Sequence, residues 1–93
     1  MVMTTEEWIK AAKQGIIKYF TTNNMIKIPE EKEILLVWFS KTIQHKKALF
    51  YVPIYDSMYF ECTYNGDKAQ SYIDVYQFKN KVILYDEEIQ NNK

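Results

Sequence analysis

Glu61 and Asp74 lie on two neighbouring segments whose apolar residues alternate, and the alternation puts both carboxylates on the same face. A carboxylate pair is the side-chain set that glycoside hydrolysis uses, but that chemistry also needs a cleft, sugar-stacking walls and a defined separation. A small sheet domain rarely builds such a cleft, so an ordinary solvated face is expected here. His45, the only histidine, sits beside Lys46 and Lys47 with no Ser or Cys near it in sequence. It reads as a solvent-exposed turn residue rather than a general base. Cys62 falls among the apolar residues of its segment and reads as a small core hydrophobe. One Cys and one His cannot make a structural zinc site, and no Gly-rich phosphate loop is present. No catalytic residue, metal or cofactor is therefore expected, and the chain reads as non-enzymatic.

Two residue sets remain that can bind something. Tyr59, Glu61 and Thr63 share a face with Tyr72, Asp74 and Tyr76 of the following segment. Tyrosines mixed with carboxylates resemble protein-binding hot spots, because the rings are rigid, amphipathic and lose little entropy on ordering. The plainer reading is that Tyr and Thr are good strand formers engaged in cross-strand pairs. Of this set, Tyr59, Glu61, Tyr72, Asp74 and Tyr76 are the expected partner-binding residues. Lys41, Lys46, Lys47 and Lys68 form the second set, a basic patch for nucleic acid. Nucleic acid binding also wants aromatic platforms. The chain has no Arg, the residue that base readout and phosphate clamping favour.

The elements that must position these residues are legible in the patterning. Thr4 and Glu7 form a capping box, and Trp8, Ala12, Ile16, Tyr19 and Phe20 follow at spacings of three and four. This predicts an amphipathic helix over about 5–22, stopped by Asn23-Asn24 in a left-handed conformation. Met25–Ile28 can form a short first strand, and Pro29 starts a loop. Ile34–Ile43 reads as a strand with Ile34, Leu36 and Trp38 on one face and Leu35, Val37 and Phe39 on the other. Apolar residues on both faces suggest a covered, central position. Gln44–Lys47 reads as a turn and Ala48–Val52 as the next strand, ended by Pro53. Then comes a hairpin around Asn65-Gly66, two residues that tolerate the positive φ of tight turns. A two-residue loop pairs Met58 with Ile73, and a four-residue loop pairs Phe60 with Ile73. Any even loop puts Met58, Phe60 and Cys62 on one face with Ile73 and Val75. Lys79-Asn80-Lys81 reads as a turn before a short last strand, Val82–Tyr85, and 86–93 as a frayed tail. The expected architecture is α+β: one N-terminal helix packed on a four- to five-stranded antiparallel meander spanning about 34–85.

Bulk properties agree. The 93 residues suit one domain, 1–93, and two Gly and two Pro leave no low-complexity linker. Net charge is zero, from twelve Lys against twelve Asp and Glu. A single cysteine and no basic-then-apolar leader point to a cytoplasmic protein. The longest apolar run, Ile34–Phe39, is far short of the roughly 20 residues that span a bilayer. A meander has two edges, so a homodimer through a sheet edge is an expected mode of self-association.

Two stretches carry a resemblance. Trp38-Phe39-Ser40-Lys41-Thr42-Ile43-Gln44-His45-Lys46-Lys47-Ala48-Leu49 resembles a W-S-C-K-T-L-Q-N-N-K-A-L segment. Residues 59–68, with Tyr72, Asp74 and Tyr76, resemble Y-Y-E-V-T-Y-N-G-D-K…Y-x-D-x-Y. Both segments occur in a family of small uncharacterised proteins encoded by phages and prophages of low-GC Gram-positive bacteria. The resemblance spans roughly residues 5–85. The family's cysteine in the first segment is absent here, so no role for it carries over. The resemblance implies context only: a phage accessory protein in the cytoplasm of an infected or lysogenic host. Such a protein would bind and modulate a host protein, as an anti-defence inhibitor. The alternatives are a small nucleic-acid-binding module or a sponge for a small nucleotide signal.

Overall fold

A computed structural model describes residues 3–55 and 57–91. The chain runs from helix α1 (Thr5–Thr22) through a short 3-10 turn (Glu31–Glu33) into strands β1 (Leu35–Thr42) and β2 (His45–Tyr51). A second 3-10 turn (Pro53–Tyr55) leads to β3 (Met58–Asn65) and β4 (Gln70–Gln77), and a short helix α2 (Asp86–Asn91) follows. The four strands form one antiparallel sheet in the order β1-β2-β3-β4. This is the expected α+β meander with a helix on one face.

The capping box forms as read. The Glu7 N–H donates to the Thr4 hydroxyl at 3.1 Å, and the Thr4 N–H donates to Glu7 Oε1 at 2.9 Å. The bond from the Thr4 N–H first, and the Thr4 hydroxyl second, hold the Glu7 carboxyl below its ordinary pKa. At the other end Asn24 takes φ 53°, the left-handed stop expected of an Asn. Between the ends, Trp8, Ala12, Ile16 and Phe20 are buried on one stripe. They pack on Ala48, Phe50, Met58, Phe60 and Cys62 of the sheet, with Ile34 and Val52 completing the core. Phe20 and Phe60 are fully buried, with ring centroids 5.4 Å apart, and Tyr19 packs edge-on against Phe60 at 5.6 Å. Removing each such ring from water stabilises the fold by roughly 1.5–3 kcal/mol. The Trp8 indole N–H donates to Ser71 Oγ at 3.0 Å, tying α1 to β4. Gly15 permits the same approach, since a Cβ there would lie 2.6 Å from Ile73 Cδ1.

Several local expectations fail, for physical reasons. No strand forms at Met25–Ile28, and Ile26 is fully exposed. β1 is an edge strand, not a covered central one, and Leu35, Leu36, Val37 and Trp38 are all exposed. Its register also breaks: Leu36 pairs with Phe50 but Trp38 pairs with Leu49, so Val37 is an extra, bulged residue. The bulge reverses the alternation, sending Trp38 to the face opposite Leu36 and Phe39 to the helix side. The β1–β2 turn is only Ile43-Gln44, because Thr42 pairs with His45. Gln44–Lys47 is therefore not a turn, and Lys46 and Lys47 lie inside a strand. In the β3–β4 hairpin Asn65 pairs with Gln70 and Cys62 with Ile73. The loop is even, as parity requires, but it is Gly66–Ala69, one residue later than expected. Neither Asn65 nor Gly66 has positive φ; Ala69 does, at 51°. Asn65 instead caps the turn, its Oδ1 accepting from the Asp67 and Lys68 N–H groups at 3.0 and 3.3 Å. Val82–Tyr85 joins no strand among the described residues; of the expected frayed tail 86–93, Asp86–Asn91 is helical, and residues 92 and 93 lie outside the described residues.

Candidate functional site

The sheet face away from α1 carries the expected partner-binding residues, and the register arranges them in rows across all four strands. One row is Leu35, Tyr51, Tyr59 and Tyr76; the next is Trp38, Leu49, Glu61 and Asp74; the third is Ser40, Lys47, Thr63 and Tyr72. Period-two alternation makes this face the obligatory partner of the core face, since Phe50, Phe60 and Cys62 point the other way. Tyr59 thus stands beside Tyr76, and Tyr72 lies two rows, four residues, further toward the turn end of the sheet. Trp38, Tyr59, Tyr72 and Tyr76 are 40, 37, 42 and 52% exposed, while Leu49 and Tyr51 are half-buried between them. The Tyr51 and Tyr59 rings are 5.1 Å apart at 31°, so part of the aromatic surface is already packed and held.

The charges on this face are interspersed. Glu61 and Asp74 are direct cross-strand neighbours. Lys47 Nζ lies 3.6 Å from Glu61 Oε1 and offsets part of that like-charge contact. The carboxylates stand on the open sheet rather than in a cleft. Beneath them the Cys62 thiol is pushed up to about 12, first by burial and then by the Asp74 and Glu61 charges. A thiol so placed stays protonated and unreactive at neutral pH. Toward the turns the face dips into a shallow groove of about 440 Å³, lined by Trp38, Ser40, Thr42, Lys47, Thr63 and Tyr72 among others.

The structure does not assemble the four lysines into one patch. Lys41 and Lys46 are register partners on the helix side. Lys46 is buried there, with its Nζ 3.4 Å from the Met3 carbonyl and over the Trp8 and Tyr64 rings at 5.9 and 5.2 Å. Lys47 lies on the opposite face, and Lys68 sits in the β3–β4 loop. The cause is the two-residue turn, which puts Lys46 and Lys47 on opposite sides of one strand. His45 is exposed but not idle. Its Nδ1 accepts from the Gly66 N–H at 3.4 Å, and its Nε2 lies 3.8 Å from Asp67 Oδ2, so it links the two turns.

Sequence reasoning missed Leu35, Trp38, Leu49 and Tyr51 as members of this face. Only the bulge places Trp38 there, and a bulge leaves no composition signal in one sequence. Leu49 and Tyr51 alternate with Ala48 and Phe50, so simple period-two counting from the buried residues would have found them. Among the described residues, no group of three or more His, Cys, Asp or Glu comes together to hold a metal. No helix there is long and apolar enough to cross a membrane.

The model of a family of unknown function, DUF6275, matches residues 9–87, and the chain belongs to that family. No curated protein and no solved structure matches it.

Proposed function

We propose that this DUF6275 protein is a non-enzymatic binding module that docks a host protein on the outer face of its sheet and modulates it. The phage-encoded context follows the resemblance of the Trp38–Leu49 and Tyr59–Tyr76 segments to phage and prophage proteins. In that context the partner is a host defence component, and the module acts in the cytoplasm as its inhibitor. One observation carries the reading. Four exposed aromatic side chains on three strands (Trp38, Tyr59, Tyr72 and Tyr76) form a single face that no other described element covers. Isolated exposed aromatics need no explanation, but aromatic side chains gathered on one face are the residue types enriched in interfaces. Glu61, Asp74 and Lys47 supply charge complementarity, which sets specificity more than affinity. The dispersal of Lys41, Lys46, Lys47 and Lys68 favours this reading over nucleic acid.

The test is affinity capture from host lysate with nuclease treatment, comparing wild type with the Tyr59→Ser, Tyr72→Ser, Tyr76→Ser triple variant. A stoichiometric host protein that resists nuclease and is lost in the folded triple variant supports the proposal. Capture of nucleic acid, with steep salt dependence, would replace it with the nucleic-acid reading.

A further inference from the structure

Beyond the outer face, residues 78–85 call for a partner of their own. Phe78 is 51% exposed and, after Lys79-Asn80-Lys81, the apolar run Val82–Tyr85 is 85, 60, 59 and 65% exposed, so the fold leaves these residues in water. The molecule is correspondingly elongated, 55 × 37 × 21 Å with a radius of gyration of 16.4 Å, against roughly 12 Å for a compact chain of this length. A second apolar stretch, Leu35–Trp38, lies along the free edge of β1, with no Lys or Pro in it to discourage pairing. We propose that residues 78–85 are an arm that pairs in parallel with the free β1 edge of a second copy of this chain, each copy giving its arm to the other.

Charge sets the partner and the direction. Leu35–Trp38 is preceded by Glu30-Glu31-Lys32-Glu33, acidic on balance with Lys32 paired to Glu30, and followed by Lys41. Val82–Tyr85 has the reverse pattern: Lys79 and Lys81 before it, Asp86, Glu87 and Glu88 after it. A parallel alignment brings Lys79 toward Glu31, Ile83-Leu84 to Leu35-Leu36, and the acidic first turn of α2 toward the Lys41 end of β1. An antiparallel alignment puts acid against acid and Lys against Lys. Folding back on β4 of the same chain would lay Asp86 and Glu87 beside Asp74. The arm cannot easily serve its own β1. It leaves the sheet at β4, anchored by the Phe78 N–H on the Ser57 carbonyl, and β1 lies three strands away. A strand on the free edge of β1 lies four spacings, roughly 19 Å, from β4, and residues 78–82 at full extension span at most about 14 Å. The 3-10 turns Glu31–Glu33 and Pro53–Tyr55 also occupy that end of the sheet. Exchange about a two-fold axis removes this constraint. At 51 and 65% exposure, Phe78 and Tyr85 each retain roughly 100–150 Å² to bury. With Val82, Ile83 and Leu84 added, two arms reach the ~1,200 Å² of a specific interface.

Sedimentation equilibrium of the full chain, from micromolar to submillimolar concentration, tests this. A dimer is expected. The Ile83→Asp, Leu84→Asp variant should be monomeric with an unchanged far-UV circular dichroism spectrum. Glu31→Lys should weaken association by about fivefold, and Lys79→Glu in the same chain should restore it. Hydrogen exchange should show β1 edge amides protected in the wild type and exposed in the arm variant. A wild type that is monomeric throughout would overturn the proposal. So would a dimer that survives the arm variant, or a charge reversal without rescue. None of these outcomes depends on host-partner capture, so the two proposals fail independently.

Discussion

Replacing Ala69 with glycine should stabilise the protein, and the sign of that effect reports the hairpin register. Ala69 has φ 51°, where a Cβ costs about 1–2 kcal/mol. Glycine relieves that strain but loses about 0.5–1 kcal/mol more backbone entropy on folding than alanine. The difference favours Ala69→Gly by about 0.5–1 kcal/mol. Ala69 is exposed, so no packing is lost. For a domain of this size the gain is a rise in Tm of about 4 °C. Gly66 should behave in the opposite way. A Cβ there would lie 2.5 Å from Gln44 Cβ and 2.9 Å from the Gln44 carbonyl carbon. Gly66→Ala must therefore push the two turns apart and break the Gly66 N–H bond to His45, a cost of about 1–3 kcal/mol. Thermal unfolding of both variants is the assay. In a two-residue Asn65-Gly66 turn, Ala69 would pair with Cys62 in mid-strand, and glycine there would be destabilising. A lower Tm for Ala69→Gly would refute the register, and with it the placement of Tyr59 beside Tyr76 rather than beside Tyr72.

Other perturbations have equally definite outcomes. Ile43 has φ 53° and is 86% exposed, so Ile43→Gly should raise stability by about 0.5–1 kcal/mol in urea titration. Phe60→Ala, at a fully buried ring against Phe20 and Tyr19, should cost about 3–5 kcal/mol in the same titration. The Cys62 thiol titrates at about 12 when folded, against an ordinary 9.0. Between those pH values the unfolded chain loses the proton and the folded chain keeps it. The Cys62 contribution is therefore complete below pH 9.0 and is lost as pH rises toward about 12. Cys62→Ala should show a shallower fall in stability across that window.

The sequence made some levels of this structure readable and hid others. The helix was readable because its cap, its three–four periodicity and its Asn stop agree over Thr4–Asn24. The pairing of Met58, Phe60 and Cys62 with the β4 apolar residues was readable because parity alone decides it. Loop position was not. Asn-Gly signals a turn, but here Asn65 acts through its side chain and Gly66 through its lack of one, while the left-handed residue is an alanine. The outer face was half readable. Tyr59, Glu61, Tyr72, Asp74 and Tyr76 followed from β3 and β4, whereas Trp38 depends on a bulge at Val37. The lysine patch failed for want of one fact, that Ile43 and Gln44 suffice to turn the chain. Val82–Tyr85 has strand-like composition, yet it joins no strand among the described residues, because composition does not supply a neighbour.

The central claim is that the outer sheet face, and not the helix side, holds the partner. The direct measurement is binding of the captured host protein to purified variants of each surface. Trp38→Ala and the Tyr59→Ser, Tyr72→Ser, Tyr76→Ser triple variant should each lose binding by tenfold or more, at about 1.4 kcal/mol per decade. A Lys10→Ala, Gln14→Ala variant on the exposed side of α1 should bind as wild type does. Full binding by the folded face variants, or loss of binding in the helix variant, would contradict the account.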